Sequence, residues 1–158
     1  MHALLRSQVG ITLLETLIVL ALIFTLCSLT APALGRWQAR FQEKTEIRTL
    51  VEAFQRARSE AARRNCDVLL VMTLADEHSG GSFQILARDS DGGSEPIHDL
   101  RRLKALSLIR ATFSGAPHAG FNHRGLPLGL GGSLHLKGRH TQRSYRISQN
   151  AGGRVRVQ

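Results

Sequence analysis

No aspartate or glutamate follows Asp99 in this 158-residue chain. Residues 1–99 carry 10 Lys/Arg and 12 Asp/Glu, whereas residues 100–158 carry 11 Lys/Arg and no carboxylate. The formal net charge of +9 therefore divides into −2 and +11. A segment of one sign attracts polyanions at long range and resists compaction through self-repulsion. An arginine-rich codon usage explains the arginines but not the missing acids. Aromatic residues are also scarce: Tyr145 is the only one after Phe121, so stacking on nucleobases is expected to be weak. Two cysteines, Cys27 and Cys66, lie ~58 Å apart if one continuous helix joins them, which excludes a disulfide within the chain.

The signatures of catalysis are missing as well. There is no Gly-x-Ser-x-Gly elbow and no Gly-Lys-Ser/Thr phosphate loop. His118 and His123 lack a cysteine or acidic partner, so no metal site is expected there. Asp89-Ser90-Asp91-Gly92-Gly93-Ser94-Glu95 has calcium-loop residue types without the full spacing and reads as a solvated turn. Neither an enzyme nor a cofactor-binding protein is expected.

What is present begins with an apolar run. Ile11 to Ala31 contains one charge, Glu15. At helical rise the run is ~30 Å long, enough to span a bilayer and too long for the core of a secretory signal. A plain membrane anchor accounts for the length and for Arg6 on the cytoplasmic side, but not for Glu15. A lone carboxylate inside a membrane span costs several kcal/mol unless it is paired, so Glu15 is a functional residue by default.

Gly10-Ile11-Thr12-Leu13-Leu14-Glu15 resembles the prepilin peptidase site of type IV pilins and type II secretion pseudopilins. The resemblance implies cleavage between Gly10 and Ile11, N-methylation of Ile11, and pairing of Glu15 with the terminal amine of a neighbouring filament subunit. Opposite charges in a low-dielectric environment attract strongly, which gives the costly carboxylate a partner. The segment departs from the pattern in having Ile11 where phenylalanine is usual, and in separating Arg6 from the glycine by Ser7, Gln8 and Val9.

Pro32 and Gly35 follow, where a kink or local break is expected. Trp37, Phe41, Ile47, Leu50, Val51, Phe54, Ala57 and Ala61 then recur at helical spacing and predict an amphipathic helix ending near Arg63-Arg64-Asn65, with Asn65 as a left-handed cap. Beyond Cys66 the period shortens. Strands are expected at 67–74, 82–88, 97–103, 107–113, 133–137, 143–148 and 154–157, separated by Gly, Ser, Asp and Pro clusters. Asn150-Ala151-Gly152-Gly153 suits the loop of a final hairpin. The expected fold is α+β: a leader (1–10), a transmembrane helix (11–31), its amphipathic continuation (32–65) and an antiparallel β-sheet domain (66–158) packed on that helix.

In the last strand Arg154 and Arg156 are expected on one face, ~6.8 Å apart, with Val155 and Val157 facing the core. On the partner strand Tyr145 and Ile147 are expected to face in and Arg146 out, with Arg143, Arg139 and Lys137 nearby. Such a surface can track a phosphate backbone without reading bases. The stretch 57–65 and Gly153-Arg154-Val155-Arg156-Val157 resemble the FimT/GspH family of minor pilins and pseudopilins. Some minor pilins of that kind bind DNA in natural transformation, with a C-terminal Gly-Arg-x-Arg motif implicated. The resemblance implies a filament subunit, anchored once in the bacterial inner membrane with its C-terminal domain in the periplasm. Its implied partners are prepilin peptidase and other pilins, and double-stranded DNA on the motif residues Arg154 and Arg156, to which the charge pattern adds Arg146, Arg143 and Lys137. The alternative is a type II secretion pseudopilin that contacts proteins and no DNA.

Overall fold

The computed structural model describes residues 12–88, 93–114 and 116–158, with the backbone alone at 29–33. The expected cleavage site at Gly10 and Ile11, and most of the acidic turn at 89–95, lie outside the described residues. Two compact units, Met1–Gln38 and Ala39–Gln158, divide the chain. A single helix, α1 (Leu13–Arg64), contributes to both.

In the first unit, the large apolar side chains from Leu13 to Leu26 are between 49% and 82% exposed. The described side chains of this stretch stop at Ser28, short of the ~20 residues a bilayer needs. Among the described residues no helix is long and apolar enough to cross a membrane. The expected break at Pro32 is absent, and the backbone stays helical through this position and Gly35. Proline forgoes one hydrogen bond while its fixed φ remains helical.

The second unit is built on the last part of α1. Ile47, Leu50, Ala53, Phe54, Ala57 and Ala61 form its buried stripe. Trp37 and Phe41, expected to start that stripe, are 66% and 59% exposed; burial on the helix begins at Glu43. The helix ends where expected. Asn65 takes a φ of +53°, and the Cys66 N–H returns to the Ala61 carbonyl at 3.3 Å, the six-to-one bond of a left-handed cap.

Nine strands follow among the described residues: β1 (Val68–Thr73), β2 (Ser82–Arg88), β3 (Ser94–Pro96), β4 (Arg101–Arg102), β5 (Leu106–Phe113), β6 (His118–Phe121), β7 (Gly131–Gly138), β8 (Ser144–Asn150) and β9 (Val155–Val157). They make two antiparallel sheets. One is ordered β3-β2-β1-β6, with β4 also on β2; the other is β5-β7-β8-β9. Of the strand expected at 97–103 only Arg101–Arg102 forms, as β4, and β3 lies just before that range. β3 and β4 pair with opposite ends of β2, and the chain bends through Ile97 and His98 between them. β6 was not expected: Pro117 and Gly120 make the segment read as a turn, yet it pairs with β1 along its whole length. Alternate residues of the sheets fill one core with the helix stripe, including Leu70, Ile85, Leu108, Phe121, Leu134 and Ile147. Phe54 meets Phe113 at 5.8 Å between ring centres.

Two helix carboxylates tie the sheets to α1. Glu46 accepts the backbone N–H groups of Lys104, Ala105 and Leu106 at 2.8, 3.0 and 2.9 Å. Glu43 is fully buried, and accepts the Thr141 hydroxyl at 2.7 Å and the Tyr145 hydroxyl at 3.0 Å. A side chain on Gly138 would collide with this carboxylate and with the Thr141 hydroxyl.

Glu46→Ala leaves three N–H groups unsatisfied and is expected to lower the unfolding free energy by about 2–4 kcal/mol. Urea unfolding followed by circular dichroism, with exposed Glu52→Ala as a near-neutral control, measures the difference. Burial and then the hydrogen bond to Glu43 hold the Tyr145 phenol above its ordinary pKa. A raised acid contributes stability that is fully present below the unfolded-state pKa and is lost as pH rises through the folded one. Tyr145 is the only tyrosine, so its ionisation can be followed by absorbance at about 295 nm. The midpoint is expected above that of free tyrosine and to fall part of the way back in Glu43→Gln.

Candidate polyanion-binding face

The acid-free half of the sequence supplies the whole second sheet. Its register places Arg110, His135 and Arg146 in one cross-strand row over β5, β7 and β8. Thr112, Ser133, Ser148 and Arg156 form the adjacent row, and Ser107, Lys137 and Ser144 the row on the other side. Directly paired residues share a face with Cβ atoms about 4.5–5.5 Å apart. Leu134, Leu136 and Ile147, which alternate with these positions, are buried, so the rows form the outer surface. Arg110, Lys137, Arg146 and Arg156 are all exposed, and none has an ion pair among the described residues. Ser133 lies beneath them with its hydroxyl 3.3 Å from His135 Nε2.

A bulge creates this arrangement. Strict alternation from Leu106 and Leu108 would send Arg110 and Thr112 inward. The register slips between Leu108 and Arg110, so Ile109 and Arg110 are both exposed and Phe113 returns to the core. Arg110 and His135 were therefore not among the expected site residues. The one available signal was the adjacent pair Ile109-Arg110, after which the apolar alternation resumes out of phase.

The expected cations separate into three places. Lys137, Arg146 and Arg156 lie on the sheet face. Arg143 is exposed in the β7–β8 turn, at the end of the face. Arg154 precedes β9 and belongs to the β8–β9 turn, where its N–H donates to Asn150 Oδ1 at 2.8 Å. β9 starts at Val155, and the Arg154 carbonyl still accepts the Asn150 N–H at 3.1 Å. Val155 packs on the core, whereas Val157, also expected inside, is 47% exposed at the end of the edge strand.

Glu15 occupies the first turn of α1. Its N–H donates to Thr12 Oγ1 at 3.2 Å, making Thr12 the cap of the helix. The carboxylate is exposed and has no hydrogen-bond partner among the described residues. The positive end of the helix dipole favours it there.

A model of the family described as type II transport protein GspH matches residues 46–153, more than half of the chain. The chain belongs to the GspH family. Solved structures agree on the fold. The minor pseudopilin EpsH from the type 2 secretion system of Vibrio cholerae is similar with a TM-score of 0.56 and 15% identity, over 73% of this chain and 94% of that one. The type IV minor pilin FimU of Pseudomonas aeruginosa is similar with a TM-score of 0.54 and 17% identity, over 73% and 91%. A search of curated protein sequences returns no match. This GspH-family chain thus shares its fold with a minor pseudopilin and a type IV minor pilin. Its helix and antiparallel sheets are those of the expected pilin-like α+β fold.

Proposed function

We propose that this GspH-family chain is a filament subunit that displays a basic sheet face to double-stranded DNA. The acid-free outer face of β5-β7-β8-β9 carries this reading. Four exposed cations, without ion pairs among the described residues, stand over a bed of hydroxyls, a surface suited to phosphate oxygens and unsuited to base readout. Arg146, Arg156, Lys137 and Arg110 contact the backbone from the face, with Arg143 and Arg154 at its two ends.

The assembly half of the reading rests on Gly10, Ile11 and Glu15. Prepilin peptidase removes residues 1–10, Ile11 becomes the methylated terminus, and Glu15 pairs with the terminal amine of a neighbouring subunit. The exposed apolar side chains from Leu13 onward need a cover, which the inner membrane supplies before assembly and other pilins supply afterwards. The sheet unit then lies on the periplasmic side. The family description favours a second reading, in which the chain is a pseudopilin of type II secretion and meets protein partners without DNA.

Mass spectrometry of the chain from cells with an active prepilin peptidase is expected to show a methylated terminus at Ile11; retention of residues 1–10 would reject the filament-subunit reading. The full-length chain in neutral detergent is expected to bind duplex DNA of any sequence. Its log affinity should fall against log salt by about 0.9 per phosphate neutralised, a slope near −3 to −4 for the four face cations. Arg146→Gln/Arg156→Gln should reduce that slope by about 2. Equal binding by wild type and double variant removes the face as the site, and a processed chain that binds no DNA takes the secretion reading.

A further inference from the structure

Arg58 and Arg154, 96 positions apart in the numbering, line one cleft. Together with Phe54, Gln55, Gly153 and Val155 they enclose about 210 Å³. Both family-like stretches of the sequence, 57–65 and 153–157, thus meet at a single place. The Arg58 stem lies along Gly125, whose Cβ, if present, would come 3.3 Å from Arg58 Cγ. Arg58 Nη1 is 3.6 Å from the position that a Gly153 Cβ would take.

Both walls are fixed. Asn122 Oδ1 accepts the N–H groups of Arg124 and Leu126 at 3.0 Å each, which closes the loop on which Arg58 rests. Gly153, at a φ of +79°, donates its N–H to the Asn150 carbonyl at 2.9 Å and turns the chain into β9. Neither guanidinium has a carboxylate partner among the described residues. The acid nearest in sequence, Glu60, is held by Arg63 at 2.7 Å and Arg64 at 3.0 Å. Gln149, paired directly across from Val155, is buried, and its amide nitrogen has no partner.

Two cations on one cleft repel until an anion enters. A carboxylate offers two oxygens and is satisfied by one arginine fork. A phosphoryl group sets its anionic oxygens tetrahedrally about phosphorus, two of them even in a diester, and can meet a separate fork at each. We propose that Arg58 and Arg154 grip one phosphoryl group in this cleft. Its assignment to a backbone diester rests on the DNA reading above. On that reading the cleft makes α1 part of the site, and Arg156, two residues further on in β9, passes the backbone on to the sheet face.

The test has two arms on the full-length chain in neutral detergent. In the first, arginine Nε–Hε resonances are followed while inorganic phosphate is added at constant ionic strength. Those of Arg58 and Arg154 are expected to shift together and saturate, while those of Arg101 and Arg102 stay in place. Arg58→Met keeps the stem on Gly125 and removes the charge, and should abolish the Arg154 shift without changing the melting temperature. In the second arm, Arg58→Met should weaken duplex binding about threefold to tenfold and reduce the salt slope by about 1, with Arg58→Lys restoring the slope but not the full affinity. No coupled phosphate shift overturns the cleft, whatever the DNA result. A coupled shift with duplex binding unchanged in Arg58→Met supports the cleft as a site for free phosphate and leaves the sheet face intact. A coupled shift without any duplex binding by wild type does the same for the cleft while overturning the DNA reading.

Discussion

The second half of this chain has no carboxylate of its own and borrows two from the helix. Glu46 accepts three successive backbone N–H groups at the entry to β5, and Glu43 accepts the hydroxyls of Thr141 and Tyr145 at the β7–β8 turn. Both anchors fall at one end of that sheet, where Leu106 pairs with Gly138, and both come from one turn of α1. The helix is therefore an electrostatic part of the sheet as well as an apolar wall for it. A buried carboxylate is tolerated only when its oxygens are satisfied, and here neutral donors satisfy them. That choice leaves the guanidinium groups of the acid-free half without an ion pair among the described residues.

The outer face follows from this division. Had Glu43 or Glu46 been matched to arginines, the sheet would have buried ion pairs and a neutral exterior. Instead the anions rest on backbone and hydroxyl donors, while Arg110, Lys137, Arg146 and Arg156 are exposed without ion pairs among the described residues. Mutual repulsion among them weakens with salt, as does their attraction for a polyanion. The register, held by the buried leucines on the opposite face, keeps these like charges together.

Much of the architecture was legible beforehand. Asn65 as a left-handed stop, β2 over Ser82–Arg88 and the closing hairpin all followed from local chemistry that tertiary contacts left alone. What escaped notice depended on partners distant in sequence. Glu43 and Glu46 look like ordinary solvent-face residues of an amphipathic helix until residues 104–106 and 141–145 arrive. β6 has too little pattern in four residues to declare itself without β1 beside it. Arg110 was hidden by a one-residue slip, since a bulge reverses the inside–outside sense of everything after it. Trp37 and Phe41 continue the apolar spacing of the helix beyond the point where burial stops, because periodicity marks a face and not what covers it.

Gly138 adds a constraint of inheritance. Any side chain there meets the buried Glu43 carboxylate and the hydroxyl that binds it. The glycine in the hairpin and the acid on the helix, 95 positions apart, therefore make one unit of variation. A lineage that gains even a methyl group at position 138 must displace the Glu43 carboxylate, and with it disturb the anchor for Thr141 and Tyr145. Across related chains these two positions should change together or not at all.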